Sequence, residues 1–207
     1  MSNNIEKVAV LGAGTMGAQI AGHLANAGIP SCLFDISQEL AEKGVGILKS
    51  LKPAPLYKPK NIELIEACNY DQHLEKIKEV DWILEAVAEN LEIKHKVYTN
   101  IMDYLKDTAI VSSNTSGIPL ADLTKVMSDE VKNRFLITHF FNPPRYMRLL
   151  ELVKGPNTSD EIYNKMASFG ENFLGKGIVH GKDTPNFVGN HIGVHGGNNA
   201  VKLAIEM

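Results

Sequence analysis

His139 stands at the end of the apolar run Phe135-Leu-Ile-Thr-His139, and Phe-Phe-Asn142-Pro-Pro follows it. Glu151 lies on the next apolar run, Leu149-Leu-Glu-Leu-Val153. An imidazole titrates near neutral pH, so it can take or give a proton under cellular conditions. A carboxylate partner can fix its tautomer and stabilise its charged form. On their own the two residues are only a candidate acid–base pair. His139 reads equally well as a satisfied histidine at a strand end, and Glu151 as a surface acid.

A second motif gives the pair its weight. Val8-Ala-Val-Leu-Gly12-Ala-Gly14-Thr15-Met16-Gly17 is a short apolar run leading into G-x-G-x-x-G, with a helical pattern after it. Gly12 permits a sharp turn, Gly14 a close approach of backbone to a pyrophosphate, and Gly17 close packing of helix on strand. The helix N-terminus offers free N–H groups and a positive dipole end to phosphates. A second apolar run, Ser31-Cys-Leu-Phe-Asp35, ends in an acid about twenty residues past the glycines, where a ribose-binding carboxylate belongs. Asp35 would repel a 2′-phosphate, and no arginine follows in Ile36-Ser-Gln-Glu39 to neutralise one, so NAD is favoured over NADP.

Other elements must hold these residues in place. Short apolar runs alternate with longer amphipathic ones, which predicts a mainly parallel sheet covered by helices. Strands are expected near 7–11, 31–35, 65–69, 82–86, 109–112, 135–139, 148–153 and 177–180. Helices are expected near 15–28, 37–50, 60–65, 72–79, 91–105, 119–126 and 160–174. Ser37 can cap the second helix. Lys52-Pro-Ala-Pro-Leu-Tyr-Lys-Pro59 is a proline-punctuated loop within a helical insertion near 37–80. Thr184-Pro185 reads as a helix start, and Phe187 to Met207 as one helix. Gly189, Gly193, Gly196 and Gly197 weaken it, each interior glycine costing about 1 kcal/mol. Such a helix needs something to pack against, so residues 184–207 are expected to begin an all-helical domain beyond a unit spanning 1–183.

Composition narrows the function classes. The 207 residues are 44% hydrophobic and 22% charged, enough for one sizeable core. A net charge of −3 leaves no basic footprint for nucleic acid, so local geometry must hold an anionic cofactor. There is no run long enough to span a bilayer and no leader-like N-terminus, so a cytoplasmic protein is expected. Cys32 and Cys68 read as two buried thiols in a reducing compartment. His191 and His195 stand four apart, as helical metal ligands can, but no third ligand accompanies them and no metal is expected. His23, His73, His95 and His180 carry no assigned role.

Five motifs occur in order: the glycine turn, Ala86-Val-Ala-Glu89-Asn-Leu-Glu-Ile-Lys94, Ser112-Ser-Asn-Thr-Ser116, His139-Phe-Phe-Asn142-Pro, and Lys182-Asp-Thr-Pro-Asn-Phe-Val-Gly-Asn190. Together they resemble the NAD-binding domain of L-3-hydroxyacyl-CoA dehydrogenase, found also within fatty-acid oxidation multifunctional enzymes. The resemblance implies a Rossmann-like, doubly wound α/β sheet. It implies oxidation of (S)-3-hydroxyacyl-CoA to 3-oxoacyl-CoA with NAD, as in β-oxidation. His139 matches the catalytic base, Glu151 its orienting partner, Ser116 the residue that hydrogen-bonds the substrate's 3-oxygen, and Asn190 the asparagine that completes the site. Asn142 matches a residue beside the nicotinamide. Gly12, Gly14, Thr15, Met16, Gly17, Asp35, Glu89, Lys94 and Ser116 match cofactor-contacting positions. His191 stands where the family usually has arginine. The family's helical C-terminal domain supplies its dimer interface, so a homodimer is expected only with that domain.

Three other readings compete, one being that the sequence is a piece of a longer multifunctional chain. Dehydrogenases of the 3-hydroxyisobutyrate or 6-phosphogluconate type share the glycine motif but use lysine and lack His-Phe-Phe-Asn-Pro. An NAD-binding fragment or relic without catalytic activity would keep the motifs and lose turnover.

Overall fold

The computed structural model describes residues 5–206. Its strands are β1 (Val8–Leu11), β2 (Ser31–Asp35), β3 (Ile65–Asn69), β4 (Trp82–Glu85), β5 (Ile110–Ser113), β6 (Phe135–Phe140), β7 (Leu149–Lys154) and β8 (Gly177–Gly181). They form one sheet in the order β3-β2-β1-β4-β5-β6-β7-β8. All eight fall within a residue or two of the expected positions. The helices between them are α1 (Thr15–Asn26), α2 (Gln38–Ile47), α3 (Tyr70–His73), α4 (Leu91–Ile101), α5 (Leu120–Leu123), α6 (Asp129–Asn133), α7 (Asp160–Asn172) and α8 (Gly189–Glu206).

Every strand pair is parallel except β6 with β7. The connection 141–148 is too short for a crossover, which needs a dozen residues or more, so the chain returns beside itself. Strand residues alternate between two buried layers. Val8, Val10, Leu33, Trp82 and Leu84 pack on one face of the sheet. Ala9, Leu11, Phe34, Ile83 and Val111 pack on the other. This period of two, buried on both faces, is why the strands read as continuous apolar runs.

Local chemistry sets the helix starts. Ser37 Oγ accepts from Leu40 N at 3.3 Å, as the sequence suggested. Asn90 caps α4 through Ile93 N at 3.0 Å, and Ser159 caps α7 through Ile162 N at 3.2 Å. The segment 37–80 holds the expected strand β3, which extends the sheet past β2, and the helices expected near 60–65 and 72–79 are mostly short 3-10 segments of two turns each at Pro59–Leu64 and Leu74–Glu79. Helix α6 escaped the sequence reading because five residues show no helical period; only its Ser128 cap marks it.

Thr184-Pro185 does not begin the last helix. Asn186 and Phe187 take positive φ values of 65° and 45°, so the chain first turns, and α8 starts at Gly189. Helix α8 has no buried residue among the described residues, and His191 and His195 are exposed on it. Ile192, Val194, Val201, Leu203 and Ile205 lie on its open surface. No helix among the described residues is long and apolar enough to cross a membrane.

Candidate functional site

The glycine turn is built for close approach. Gly12 has φ +106°, and a Cβ there would lie 2.7 Å from the Ala86 carbonyl oxygen. A Cβ on Gly17 would lie 1.8 Å from the Gly12 oxygen, so helix and turn touch through bare backbone. Gly14 differs: nothing lies within 4 Å of the position its Cβ would take. The chain thus leaves open backbone at the start of α1, beside the exposed Thr15 and half-buried Met16. A dinucleotide pyrophosphate fits such a cradle.

Next to the turn, a cleft of about 280 Å³ is lined by Gly12, Gly14, Asp35, Ile36, Tyr70 and Val87. Asp35 is half-buried at the end of β2. One carboxylate oxygen accepts Ala13 N at 2.8 Å and the other Ile36 N at 2.7 Å. Each oxygen keeps a lone pair for a ribose hydroxyl. The charge faces the cleft with no arginine beside it in sequence, so the residues present fit an NAD adenosine half.

The acid–base pair arises directly from the antiparallel turn-back. His139 on β6 is in register with Glu151 on β7. His139 Nδ1 meets Glu151 Oε2 at 2.7 Å, with the side chains 6% and 0% exposed. A carboxylate only accepts, so Nδ1 bears the hydrogen and Nε2 is left with its lone pair in the neutral ring. Phe141 and Phe187 flank the imidazole at ring-centroid distances of 4.5 and 5.8 Å. The other oxygen of Glu151 accepts Val188 N at 2.9 Å and Gly189 N at 2.6 Å. Nothing in the sequence pointed to these two backbone donors. They tie the start of α8 to the pair; half-buried Asn190 is the next residue along that helix.

Two further side chains connect the motifs. Gln19 is buried on α1, and its Nε2 donates to Asn142 Oδ1 at 3.0 Å and to the Thr15 carbonyl at 3.2 Å. It links the glycine turn to the loop that follows His139. Asn114 Oδ1 accepts Phe140 N at 2.8 Å and so clamps the β5 loop to the residue after His139. Ser116 is exposed two positions further along that loop. The signal for Gln19 was legible: it is the polar residue among Met16-Gly-Ala and Ile20-Ala-Gly.

Glu89 and Lys94 belong to a network that the sequence reading did not reveal. Glu89 Oε1 accepts Ser116 N at 2.8 Å and the Thr115 hydroxyl at 2.5 Å. Burial alone would raise the Glu89 carboxyl. The Thr115 hydrogen bond and the Lys94 charge outweigh it and hold the group below its ordinary value. Lys94 is 1% exposed, with its ammonium 2.7 Å from Glu85 Oε1 and 3.2 Å from Glu89 Oε2. It lies beneath the site and acts on the Ser116 loop through Glu89. Glu85, fully buried at the end of β4, also accepts Val87 N, the Tyr98 hydroxyl and the Ser113 hydroxyl at 2.8, 2.7 and 2.6 Å. The apolar run around Glu85 hid it as a strand residue. A buried acid needs such partners, because an unpaired one would cost several kcal/mol.

The glycine turn, Asp35, Glu85, the Ser116 loop and His139 lie at the C-terminal ends of β1, β2, β4, β5 and β6, where open α/β sheets bind ligands, and the antiparallel β7 brings Glu151 to the same end. The arrangement can hold a dinucleotide and move a proton at His139 Nε2.

Known proteins carry the same pattern. Residues 7–184 match the family model described as 3-hydroxyacyl-CoA dehydrogenase, NAD binding domain. A probable 3-hydroxyacyl-CoA dehydrogenase of Bacillus subtilis (strain 168) is 46% identical, over 95% of this chain and 28% of that protein. One of Deinococcus radiodurans is 44% identical, over 93% of this chain and 58% of its own length. The chain therefore spans well under two thirds of either curated relative. The crystal structure of (S)-3-hydroxybutyryl-CoA dehydrogenase PaaH1 from Ralstonia eutropha superposes with a TM-score of 0.79 at 32% identity, covering 91% of this chain and 68% of that one. Fold, motif order and similarity agree: this chain belongs to the 3-hydroxyacyl-CoA dehydrogenase family, of which it contains the NAD-binding domain.

Proposed function

We propose that the chain takes part in NAD-dependent oxidation of (S)-3-hydroxyacyl-CoA to 3-oxoacyl-CoA, as in fatty-acid β-oxidation. The observation that supports this best is the buried His139–Glu151 pair, in register across β6 and β7 at the binding end of the sheet. NAD, when bound, supplies the hydride acceptor.

His139 Nε2 takes the hydroxyl proton as the alcohol is oxidised. In reduction the imidazolium returns it. Glu151 holds the ring in the tautomer that leaves Nε2 free and offsets the positive charge that forms. Ser116 donates to the substrate's 3-oxygen, and Asn190 completes the site from the start of α8. Asn142, held by Gln19, would contact the nicotinamide half of the cofactor. Gly12, Gly14, Thr15, Met16 and Gly17 would hold the pyrophosphate, and Asp35 the adenosine ribose. Glu89 contacts the cofactor side of the Ser116 loop, with Lys94 as its buried counter-charge.

Residues 1–183 are the cofactor-binding unit, and 184–207 begin an all-α dimerisation domain. The family match ends at 184, and Ile192, Val194, Val201, Leu203 and Ile205 of α8 are exposed. Dimerisation requires that domain. A cytoplasmic, reducing setting fits the two free thiols.

The test is NADH-dependent reduction of acetoacetyl-CoA, by the 207-residue chain and by the chain joined to a relative's helical domain. Turnover in either form supports the reading. NADH binding without turnover in both forms would favour the reading of an NAD-binding fragment or relic without catalytic activity.

A further inference from the structure

The fold brings together two cysteines that the sequence keeps 36 positions apart. Cys32 on β2 is in register with Glu66 on β3, and Cys68 follows two residues along β3 on the same face. Sγ of Cys32, Sγ of Cys68 and a carboxylate oxygen of Glu66 all lie within 4.8 Å of one another. Cys32 and Cys68 are 1% and 0% exposed, and Glu66 is exposed. The Glu66 carboxylate is divided between two tasks. Oε1 takes the Lys76 ammonium at 2.6 Å, while Oε2 faces Cys32 Sγ at 4.0 Å.

We infer that Cys32, Cys68 and Glu66 form a binding site for a borderline-soft divalent cation of the zinc class. Two thiolates select such an ion over magnesium or calcium, which take oxygen ligands. Zinc–sulfur bonds of about 2.3 Å and zinc–oxygen bonds of about 2.0 Å place ligand atoms of a tetrahedron between about 3 and 4 Å apart. The three donor atoms need close by only a few tenths of an ångström to an ångström to reach that spacing. Three protein ligands leave one position open, on the solvent side with Glu66, and water fills it. Binding displaces one proton from each thiol, so two protons leave as the cation enters and the metal–sulfur bonds form. Lys76 offsets part of the negative charge that three anionic ligands bring. The ion would fasten edge strand β3 to β2, three residues before Asp35. This site is separate from the proposed proton-transfer centre and does not rest on it.

The test uses the reduced, chelator-treated chain titrated with Cd²⁺, whose thiolate complexes absorb in the ultraviolet. The expected result is a charge-transfer band that saturates at a single ion per chain and is displaced by Zn²⁺. Zn²⁺ should also raise the melting temperature by mass action. Cys32→Ser and Cys68→Ser should each remove the band. Glu66→Gln, on the surface and no threat to the core, should keep the band but weaken Cd²⁺ binding about tenfold or more. NADH binding by each variant checks that it is folded. No band in the folded wild-type chain, or a band surviving in the Cys32→Ser/Cys68→Ser double variant, would overturn the site. So would an unchanged Cd²⁺ affinity in Glu66→Gln.

Discussion

Glu151 accepts the backbone N–H of Gly189 at 2.6 Å through the oxygen that does not face His139. One carboxylate thus fixes both the imidazole and the first turn of α8. Space at Gly189 is tight. A Cβ there would stand 2.6 Å from Phe141 Cζ, and Phe141 itself packs on the His139 ring. Gly189→Ala should therefore push the start of α8 away from Glu151 and loosen the pair. Misplacement of this kind should lower acetoacetyl-CoA reduction on the order of tenfold to a hundredfold. NADH affinity, read by fluorescence titration, should stay near wild type. An alanine variant with unchanged turnover would show that the helix start does not position the pair.

Discrimination between cofactors should follow Asp35. Its carboxylate at the end of β2 would meet a 2′-phosphate with like charge, which costs several kcal/mol across a binding surface. NADH should bind at least about tenfold more tightly than NADPH in fluorescence titrations, and Asp35→Ala should narrow the ratio. Equal affinities in the wild-type chain would remove Asp35 from the ribose site.

Lys94→Met leaves the Glu85 carboxylate buried without its cation. Losing one partner of a buried pair costs about 3–5 kcal/mol. Urea unfolding should report a loss of that order, and Glu85→Gln in the Lys94→Met background should restore part of it. A loss under about 1 kcal/mol would mean that water reaches the pair and Lys94 is free to serve elsewhere.

Acid sensitivity should have an identifiable source in His23. Its Nε2 lies 3.0 Å from the Leu174 carbonyl, and its Nδ1 is buried without a partner among the described residues. Burial first, and the nearby Lys176 charge second, lower its pKa from 6.5 to about 4. The unfolded chain binds the proton first, so the neutral ring's contribution is present above about 6.5 and is lost as pH falls toward 4. The loss amounts to about 3 kcal/mol by pH 4 at 1.36 kcal/mol per unit. His23→Gln keeps an amide donor for Leu174 and cannot titrate, so its stability should fall less steeply across that window. Parallel curves for both proteins in urea unfolding at several pH values would place the acid sensitivity elsewhere.

The fold was legible because it rests on local patterns. Apolar runs of strand length, capping residues such as Ser37, and the glycine spacing all act within a few residues. The pairing of His139 with Glu151 was legible as chemistry, and the antiparallel register that creates it was implicit in the short 141–148 connection. What escaped depends on distant contacts. Glu85 and Lys94 sit in different elements, and only the packing of α4 on β4 unites them. Gln19 finds Asn142 across 123 positions. Cys32 and Cys68 meet only because β3 pairs with β2. The start of α8 was misplaced because Thr184-Pro185 resembles a helix signal, while the positive φ values of Asn186 and Phe187 depend on burying Phe187 against His139.

The central claim is that His139 transfers the proton while the glycine turn and Asp35 hold the cofactor. His139→Gln separates the two. Measured in whichever form of the protein turns over, with acetoacetyl-CoA and NADH, the variant should lose about 10²–10⁴-fold in rate, the usual worth of a positioned acid–base group. Its NADH affinity should change little. A His139→Gln protein that retains wild-type turnover would contradict the account.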